Sequence, residues 1–298
     1  MEKVVEIKNL KKNFSSFEAL KNINFDIHTG EVLGYIGPNG SGKSTTIRVL
    51  LGLIKKSSGE VKIFGKDAWS DSIDIHRRIA YVPGDVYLWP NLTGREIIQL
   101  FMNLHGKGNQ ETCERLIQEF ELDPKKKISS YSKGNRQKIS LIAALSCEAD
   151  LYIFDEPTSG LDPLMEVIFQ REVEALKKKG KAILLSSHIL SEVERLADRV
   201  VVIKNGELVE TGSLDELRHF SRDSFRVKTE RPATDLAKLS GVHDLKFEGD
   251  YALFQADSDK LEEILSTLML YGIKKLESTA ATLEELFIHH YEQVSEEK

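Results

Sequence analysis

An eight-residue segment near the N-terminus combines three glycines with a lysine and a serine at fixed spacing. Residues 37–44 read GPNGSGKS and match the pattern G-x-x-x-x-G-K-[ST] at every defined position. Glycines let successive backbone N–H groups turn toward one anion, and a helix that begins at the loop adds the positive end of its dipole. A lysine supplies charge for the outer phosphate oxygens, and a serine hydroxyl suits Mg²⁺. The spacing predicts a loop that binds a nucleoside triphosphate through Gly37, Asn39, Gly40, Ser41, Gly42, Lys43, Ser44 and Thr45.

Two adjacent acidic residues follow an apolar run later in the chain. The run LYIF at residues 151–154 has the pattern of a buried strand, and Asp155 and Glu156 follow it directly. Carboxylate oxygens are hard ligands, so we expect Asp155 to hold Mg²⁺ together with Ser44. Glu156 can then polarise a water molecule toward the terminal phosphate. Such a pair is a weak signal alone, but beside the glycine-rich loop it predicts nucleotide hydrolysis.

The elements that must position these residues alternate between strands and helices. A short apolar strand at residues 31–37 precedes the glycine-rich loop, and residues 45–53 have a helical pattern. The near-continuous apolar runs at residues 151–155 and 182–187 are separated by a helical stretch at residues 165–179. Buried strands that alternate with helices indicate a parallel α/β sheet.

Other regions have different patterns. About the first 30 residues alternate apolar and polar positions, as half-buried strands do, and about residues 92–147 have helical periodicity. Beyond residue 220, three strand-like and two helix-like segments predict a small α+β domain. We therefore expect a nucleotide-binding domain at residues 1–220 and an accessory domain at residues 221–298.

Composition limits the functional classes. The 298 residues suit about two domains at roughly 100–200 residues each, and a net charge of −6 gives no general attraction for nucleic acid. Two cysteines, Cys113 and Cys147, cannot build a disulfide framework and fit no metal-binding spacing. No apolar run approaches the ~18 residues that cross a bilayer, and the N-terminus lacks the apolar core of a signal peptide. We therefore expect a soluble, cytoplasmic chain.

A segment just before the acidic pair identifies a family. Residues 131–138, YSKGNRQK, resemble the L-S-G-G-Q signature of ATP-binding cassette (ABC) ATPases, in which a serine cap and small residues present N–H groups to an anion. Residues 155–162, DEPTSGLD, resemble the Walker B and D-loop segments of the same family. His188 ends the next apolar strand at the place of the family's switch histidine. The motifs follow the family's order over residues 1–220.

The resemblance implies a P-loop NTPase fold of the ABC type, an α/β cassette in which a mixed-sheet core carries an antiparallel β subdomain and an inserted helical subdomain. It implies that two subunits enclose two ATP molecules, each glycine-rich loop facing the other subunit's signature. Catalysis then falls to Glu156, His188 and Lys43, with His188 on the γ-phosphate. Adenine is expected to stack on Phe14, for which Phe17 is a competitor. The signature residues are Tyr131, Ser132, Lys133, Gly134 and Asn135, and the D-loop residues are Ser159, Gly160, Leu161 and Asp162.

The sequence departs from the family at two places. Asn135 replaces the signature glutamine and Lys133 a signature glycine, which is tolerable because phosphate contacts rest on Ser132 and on backbone amides. The family usually reads Y-V-P-Q where residues 81–84 read YVPG, so the Q-loop glutamine is Gly84. Asp85 is then either a replacement ligand for Mg²⁺ or a turn residue, since glycine and aspartate both suit turns.

Two classes of ABC protein are in question. The absence of a membrane segment, and a resemblance of residues 281–287, ATLEELF, to the end of ABC-2 exporter subunits, favour an ATPase subunit that powers a separate permease. It would act as a homodimer or a heterodimer, on the cytoplasmic face of the membrane. The alternative is a soluble ABC ATPase that acts on nucleic acid or protein assemblies. The spacing from Lys43 to Asp155 leaves no room for an inserted coiled coil, and the sequence contains one cassette. These two features and the acidic net charge speak against the alternative, so we expect no nucleic-acid partner.

The accessory domain is the least informative part of the sequence. Its His289 and His290 could bind a metal, but adjacent residues of a helix project in different directions, which favours a solvated face. Dimer reinforcement or regulation is implied only at the level of the family.

Overall fold

The computed structural model describes residues 2–214, 216 and 223–279. It divides into two compact units, Met1–Gly212 and Ser213–Lys298, so the division lies a little before the expected boundary at residue 220. The expected last helix, the ATLEELF segment and His289 and His290 lie outside the described residues.

A six-stranded sheet forms the centre of the first unit, in the order β10-β9-β3-β8-β7-β6. Its strands are β3 (Val32–Ile36), β6 (Ile79–Val82), β7 (Leu151–Asp155), β8 (Ala182–Ser187), β9 (Arg199–Lys204) and β10 (Glu207–Ser213). Strand β3 pairs in parallel with β8 and β9, and β7 pairs in parallel with β8 and β6. Every residue of β3, β7 and β8 is buried, and these strands share a hydrophobic core with helix α1 and with residues near the N-terminus such as Val5 and Ile27. The parallel α/β core that the sequence predicts is confirmed.

A second, antiparallel sheet has the order β2-β1-β4-β5. Its strands are β1 (Lys3–Phe14), β2 (Phe17–His28), β4 (Ser58–Ile63) and β5 (Lys66–Asp67). Strands β1 and β2 form a hairpin whose last pair is Phe14 with Phe17. Buried and exposed positions alternate along these strands, which leaves one face for the shared core and one for solvent.

The helices of this unit are α1 (Lys43–Leu50), α2 (Ser72–His76), α3 (Gly94–His105), α4 (Gln110–Glu119), α5 (Lys133–Leu145), α6 (Pro163–Lys178) and α7 (Leu190–Leu196). Helices α3, α4 and α5 form the inserted helical subdomain. Each begins at a side chain that caps the backbone, Thr93, Asn109 and Ser132 respectively. Helix α5 is buried over most of its length, from Gln137 onward. The sequence pattern did not predict the short elements β6, α2 and α7.

The described part of the second unit is a small α+β arrangement, as expected. Its antiparallel sheet has the order β12-β13-β11-β14, with β11 (Asp223–Thr229), β12 (Val242–Glu248), β13 (Tyr251–Ala256) and β14 (Ile273–Thr279). Helix α8 (Leu261–Leu270) contributes Ile264 and Leu268 to a core with Phe225 and Phe254. Strand β14 was not predicted, because it is almost wholly exposed and lacks a clear apolar alternation.

The expectations about membrane-spanning segments and about the two cysteines can be compared with the described residues. Within the ranges that the structure describes, no helix has both the length and the hydropathy needed to cross a lipid bilayer. Cys113 and Cys147 are free thiols, and both are buried.

Phe169 of α6 tests the core beneath the acidic pair. Its buried ring meets the Phe154 ring edge-on at 5.1 Å, and Phe154 directly precedes Asp155. We expect Phe169→Ala to lower the free energy of unfolding by about 3–5 kcal/mol, since it leaves a cavity. The exposed Val167 of the same helix is the control, and Val167→Ala should change it by no more than about 0.5 kcal/mol. Equal losses in urea denaturation would contradict this packing.

Candidate nucleotide-binding and catalytic site

The glycine-rich loop joins the end of β3 to the start of α1. Gly42 has φ +115°, a conformation that side chains rarely adopt. At Gly37, a Cβ would lie 2.3 Å from the Ile203 carbonyl oxygen, so only glycine fits there. A Cβ at Gly40, by contrast, would meet no atom within 4 Å. The loop is thus tightly seated at both ends and open in the middle, where the sequence predicts that phosphate binds.

Lys43 is buried at the end of this loop, although its side chain carries an ammonium group. Its Nζ donates to the carbonyl oxygens of Gly37 at 2.6 Å and Pro38 at 3.2 Å, and lies 3.7 Å from Glu156 Oε1. Burial lowers the pKa of Lys43, and the negative charges of Glu156 and Asp155 oppose that shift. The fold therefore holds a desolvated cation beside the loop, where it attracts an anion more strongly than a solvated lysine would.

Asp155 is the last residue of β7, and it is buried. Burial raises the pKa of its carboxyl group, while hydrogen bonds from the Ser186 and Ser44 hydroxyls and the charge of Lys43 oppose the rise. The structure thus places the two expected metal ligands, Ser44 and Asp155, beside each other. Ser186, which the sequence reading did not single out, lies in the SSH run just before His188.

Glu156 brings the other two expected catalytic residues together. Its Oε1 lies 3.3 Å from His188 Nδ1 and 3.7 Å from Lys43 Nζ. The backbone at Glu156 has φ +49°, which is uncommon for a residue with a side chain and is often found at functional sites. Its N–H donates to the Ser186 carbonyl oxygen at 3.0 Å, which fixes this turn against β8.

The signature segment packs against the D-loop of its own chain. The Ser132 hydroxyl accepts from the Asn135 N–H and so begins α5. A Cβ at Gly134 would lie 2.3 Å from the Gly160 carbonyl oxygen, so the helix can approach the D-loop only with glycine there. The Lys133 ammonium donates to Ser159 Oγ at 3.0 Å.

Two contacts near the D-loop were not predicted. The buried Gln137 donates to the Pro157 carbonyl oxygen at 2.9 Å and so ties α5 to the turn after Glu156. Asp162 caps α6 by accepting from the Met165 N–H. The run DPLM, with proline at the first helical position, is the sequence signal for that cap.

The structure does not distinguish Phe14 from Phe17 as the residue that stacks on adenine. Both are exposed, and they face each other across the β1–β2 turn. The Lys12 ammonium lies 4.7 Å from the Phe14 ring centroid. Strand β2 also passes the glycine-rich loop, because a Cβ at Gly42 would lie 3.2 Å from the Ala19 carbonyl oxygen.

Gly84 follows β6 and lies beside the acidic pair. A Cβ at Gly84 would be 3.2 Å from the Asp155 carbonyl oxygen and 3.6 Å from Glu156 Cβ. Asp85, the next residue, is exposed. Parallel pairing of β6 with β7 produces this approach, since Val82 is opposite Phe154.

The residues present fit a magnesium–nucleotide ligand. Ser41 has a buried Oγ with no hydrogen-bond partner in the described ranges, an unusual state for a polar atom unless a ligand completes it. Ser44 and Asp155 offer the hard oxygen ligands that Mg²⁺ prefers. No group of three or more His, Cys, Asp or Glu side chains within the described ranges could hold another kind of metal ion.

A glycine-rich loop follows β3, a histidine follows the adjacent strand β8, and an acidic pair lies at the end of β7, the next strand of the sheet. Together these features define a P-loop nucleotide-hydrolysing protein. Comparison with known proteins narrows that class. Residues 20–159 match the family model described as ABC transporter, and residues 212–291 match the C-terminal domain of ATP-binding proteins similar to DrrA1-3.

Full-length relatives agree with that match. The bacitracin transport ATP-binding protein BcrA of Bacillus licheniformis is 32% identical over 256 residues, which cover 84% of this chain and 84% of BcrA. An uncharacterised ABC transporter ATP-binding protein of Bacillus subtilis, YhcH, is 28% identical over 100% of this chain and 99% of its own. The chain belongs to the ATP-binding subunits of ABC transporters, and it is an ATPase.

Solved structures support the same fold. The ATP-binding subunit of an ABC transporter superposes with a TM-score of 0.67 at 34% identity, over 72% of this chain and 92% of that one. A dimeric bacterial ABC transporter cassette, MJ0796, gives a TM-score of 0.65 at 26% identity, over 70% and 98%. The predicted ABC cassette architecture is confirmed.

Proposed function

We propose that two copies of this chain, or this chain and a related subunit, enclose two ATP molecules and power a separate membrane permease that exports its cargo. The observation that carries the proposal is the placement of the signature. Its contacts run to its own D-loop, through Gly134 and Lys133. The N–H groups at the start of its helix suit an anion, which a second subunit would supply as the γ-phosphate of its ATP. The MJ0796 cassette is a dimer, which supports this arrangement.

Each residue of the site then has a distinct role. Lys43 attracts the β- and γ-phosphate oxygens, and the loop amides of residues 37–45 surround them. Ser44 and Asp155 would hold Mg²⁺, which when bound would neutralise charge on those oxygens. Glu156 accepts a proton from the attacking water, and His188 keeps Glu156 oriented and contacts the γ-phosphate. Phe14 stacks on adenine, and Ser132 reaches the other subunit's ATP.

The export direction and the permease rest on relatives. BcrA is named for bacitracin transport, and the second unit matches the DrrA1-3-like domain, which supports an exporter of the ABC-2 type for a drug, peptide, lipid or polysaccharide. The chain would then lie on the cytoplasmic face of the membrane.

Glu156→Gln separates ATP binding from hydrolysis. The amide keeps the shape of the side chain but cannot accept the proton, so we expect turnover to fall by about 100-fold or more. Nucleotide affinity should survive, and a dimer should accumulate with ATP in size-exclusion chromatography. The exposed Glu148 gives the control, and Glu148→Gln should leave turnover and the monomer–dimer balance unchanged. A fully active, monomeric Glu156→Gln would contradict the general-base role and the enclosed ATP.

Mixing two inactive variants tests whether the sites are shared. Lys43→Ala should abolish nucleotide binding by removing the positive charge that compensates the β- and γ-phosphates, and Ser132→Arg should block the signature. Neither variant should hydrolyse ATP alone. A heterodimer of the two contains one intact loop opposite one intact signature, so mixing should restore part of the activity. If heterodimers form, as judged by two affinity tags, and activity does not return, the shared-site geometry is wrong.

Asp85 is proposed as a Mg²⁺ ligand, direct or through water, in place of the absent glutamine. Gly84 lies against the backbone of Asp155, and Asp85 is the next residue of the chain. We expect Asp85→Ala to shift the Mg²⁺ requirement of ATPase activity to higher concentration while the fold is retained. Asp74→Ala on α2, which removes an exposed carboxylate paired with Lys66, is the control. A curve that overlays the wild type would make Asp85 a turn residue.

A further inference from the structure

Glu192 is a buried acidic residue that none of the motifs includes. It lies on α7, and only 8% of it is exposed. Its Oε2 accepts from the Ser187 hydroxyl at 2.7 Å, and the Ser187 Oγ in turn accepts from the Ile189 N–H at 2.9 Å. A buried carboxyl group is costly for stability unless it is well paired, so its presence here needs a reason.

The two residues that this hydrogen-bond chain fixes are the neighbours of His188. Ser187 ends β8, and Ile189 precedes α7. The Ser187 hydroxyl therefore bridges the two sides of His188, and the Glu192 carboxyl group fixes that hydroxyl. The His188 Nδ1 lies 3.3 Å from Glu156 Oε1, a separation that depends on where this backbone lies.

The same carboxyl group also faces the segment that carries Glu156. Burial raises the pKa of Glu192, and the hydroxyls of Ser187 and Thr158 oppose that shift. Thr158 is itself buried, two residues after Glu156 and next to Pro157, which Gln137 holds. The other carboxyl oxygen of Glu192, Oε1, is buried without a hydrogen-bond partner in the described part of the chain. Glu192 thus hydrogen-bonds the segment that carries His188 and lies beside the segment that carries Glu156.

We propose that Glu192 is a positioning residue for ATP hydrolysis, whose carboxyl group holds the His188 backbone in place relative to Glu156. This rests on the proposed function, in which those two side chains act at the γ-phosphate. Glu192 touches neither nucleotide nor water, and it acts through His188. Its effect is therefore on turnover and not on nucleotide affinity.

The test is a double-mutant cycle with His188. Glu192→Ala should lower kcat by about 10-fold to 100-fold, because a displacement of around 1 Å has effects of this size. KM and nucleotide affinity should stay within about twofold. In the His188→Ala background, Glu192→Ala should have no further effect, because its route to the reaction has been removed. Loss of kcat by the same factor in both backgrounds would overturn the proposal.

Conservative and parallel variants keep the test decisive. Glu192→Gln retains an oxygen that accepts from Ser187, so it should keep kcat near the wild-type value, and a Gln variant as slow as Glu192→Ala would also overturn the proposal. Ser187→Ala breaks the same chain from its other end and should lower kcat without adding to the loss in Glu192→Ala. If Glu192→Ala does not fold, Ser187→Ala with and without His188→Ala supplies the cycle.

Controls separate this inference from its foundation. Ser146→Ala removes another buried hydroxyl of the same unit, away from the site, and should leave kcat unchanged. Full turnover in His188→Ala alone would remove the proposed role of His188 itself. Reduced turnover in His188→Ala, combined with an additive loss from Glu192→Ala, would overturn only the positioning role of Glu192.

Discussion

The parallel register of four strands is the constraint on which the site depends. In this register Ile36 lies opposite Ser187, Asp155 opposite Ser186 and Val82 opposite Phe154. Parallel strands all end at the same edge of a sheet, so the glycine-rich loop, the acidic pair, His188 and Gly84 leave the sheet side by side. Segments more than 100 residues apart in sequence meet there because backbone hydrogen bonds between parallel strands set their register.

Burial of this edge gives the charged groups their properties. Lys43 and Asp155 are each about 5% exposed. Burial lowers the pKa of Lys43 and raises the pKa of Asp155, which favours the neutral form of each group. The neighbouring charges and hydroxyls oppose both shifts, and that balance makes such a buried cluster tolerable. A desolvated lysine among oriented N–H groups binds phosphate strongly, since the low local dielectric strengthens the attraction. The same burial makes the cluster sensitive to the loss of any one member.

The D-loop connects this edge to the rest of the cassette. Helix α5 meets it through Gly134 and Lys133. Just before the D-loop, Gln137 donates to the Pro157 carbonyl oxygen, and Glu192 of α7 lies beside Thr158. A movement of the helical subdomain would therefore also displace the turn that carries Glu156. These links are hydrogen bonds and close backbone contacts, which change in discrete steps, so they suit a protein that alternates between two arrangements.

The sequence by itself determined the chemistry and the class of fold. The spacing of Gly37, Lys43 and Ser44, and the acidic pair after an apolar run, predicted the nucleotide site, because local geometry and ligand preference depend on nearby residues alone. Alternation of apolar runs with helical patterns predicted the parallel core. Short elements such as β6 and exposed ones such as β14 were missed, because they carry too little periodicity to be recognised.

Only the tertiary structure decided which distant groups meet. Gly84 lies against Asp155, and only glycine fits at position 134 because the Gly160 carbonyl oxygen is so close. Glu192 holds the residues on both sides of His188 through the Ser187 hydroxyl. All three are contacts between distant strands and helices. No local pattern encodes them, since each depends on strand register and helix packing. In the sequence Glu192 is an acidic residue that belongs to no motif, and its burial and its hydrogen bond with Ser187 give it a role.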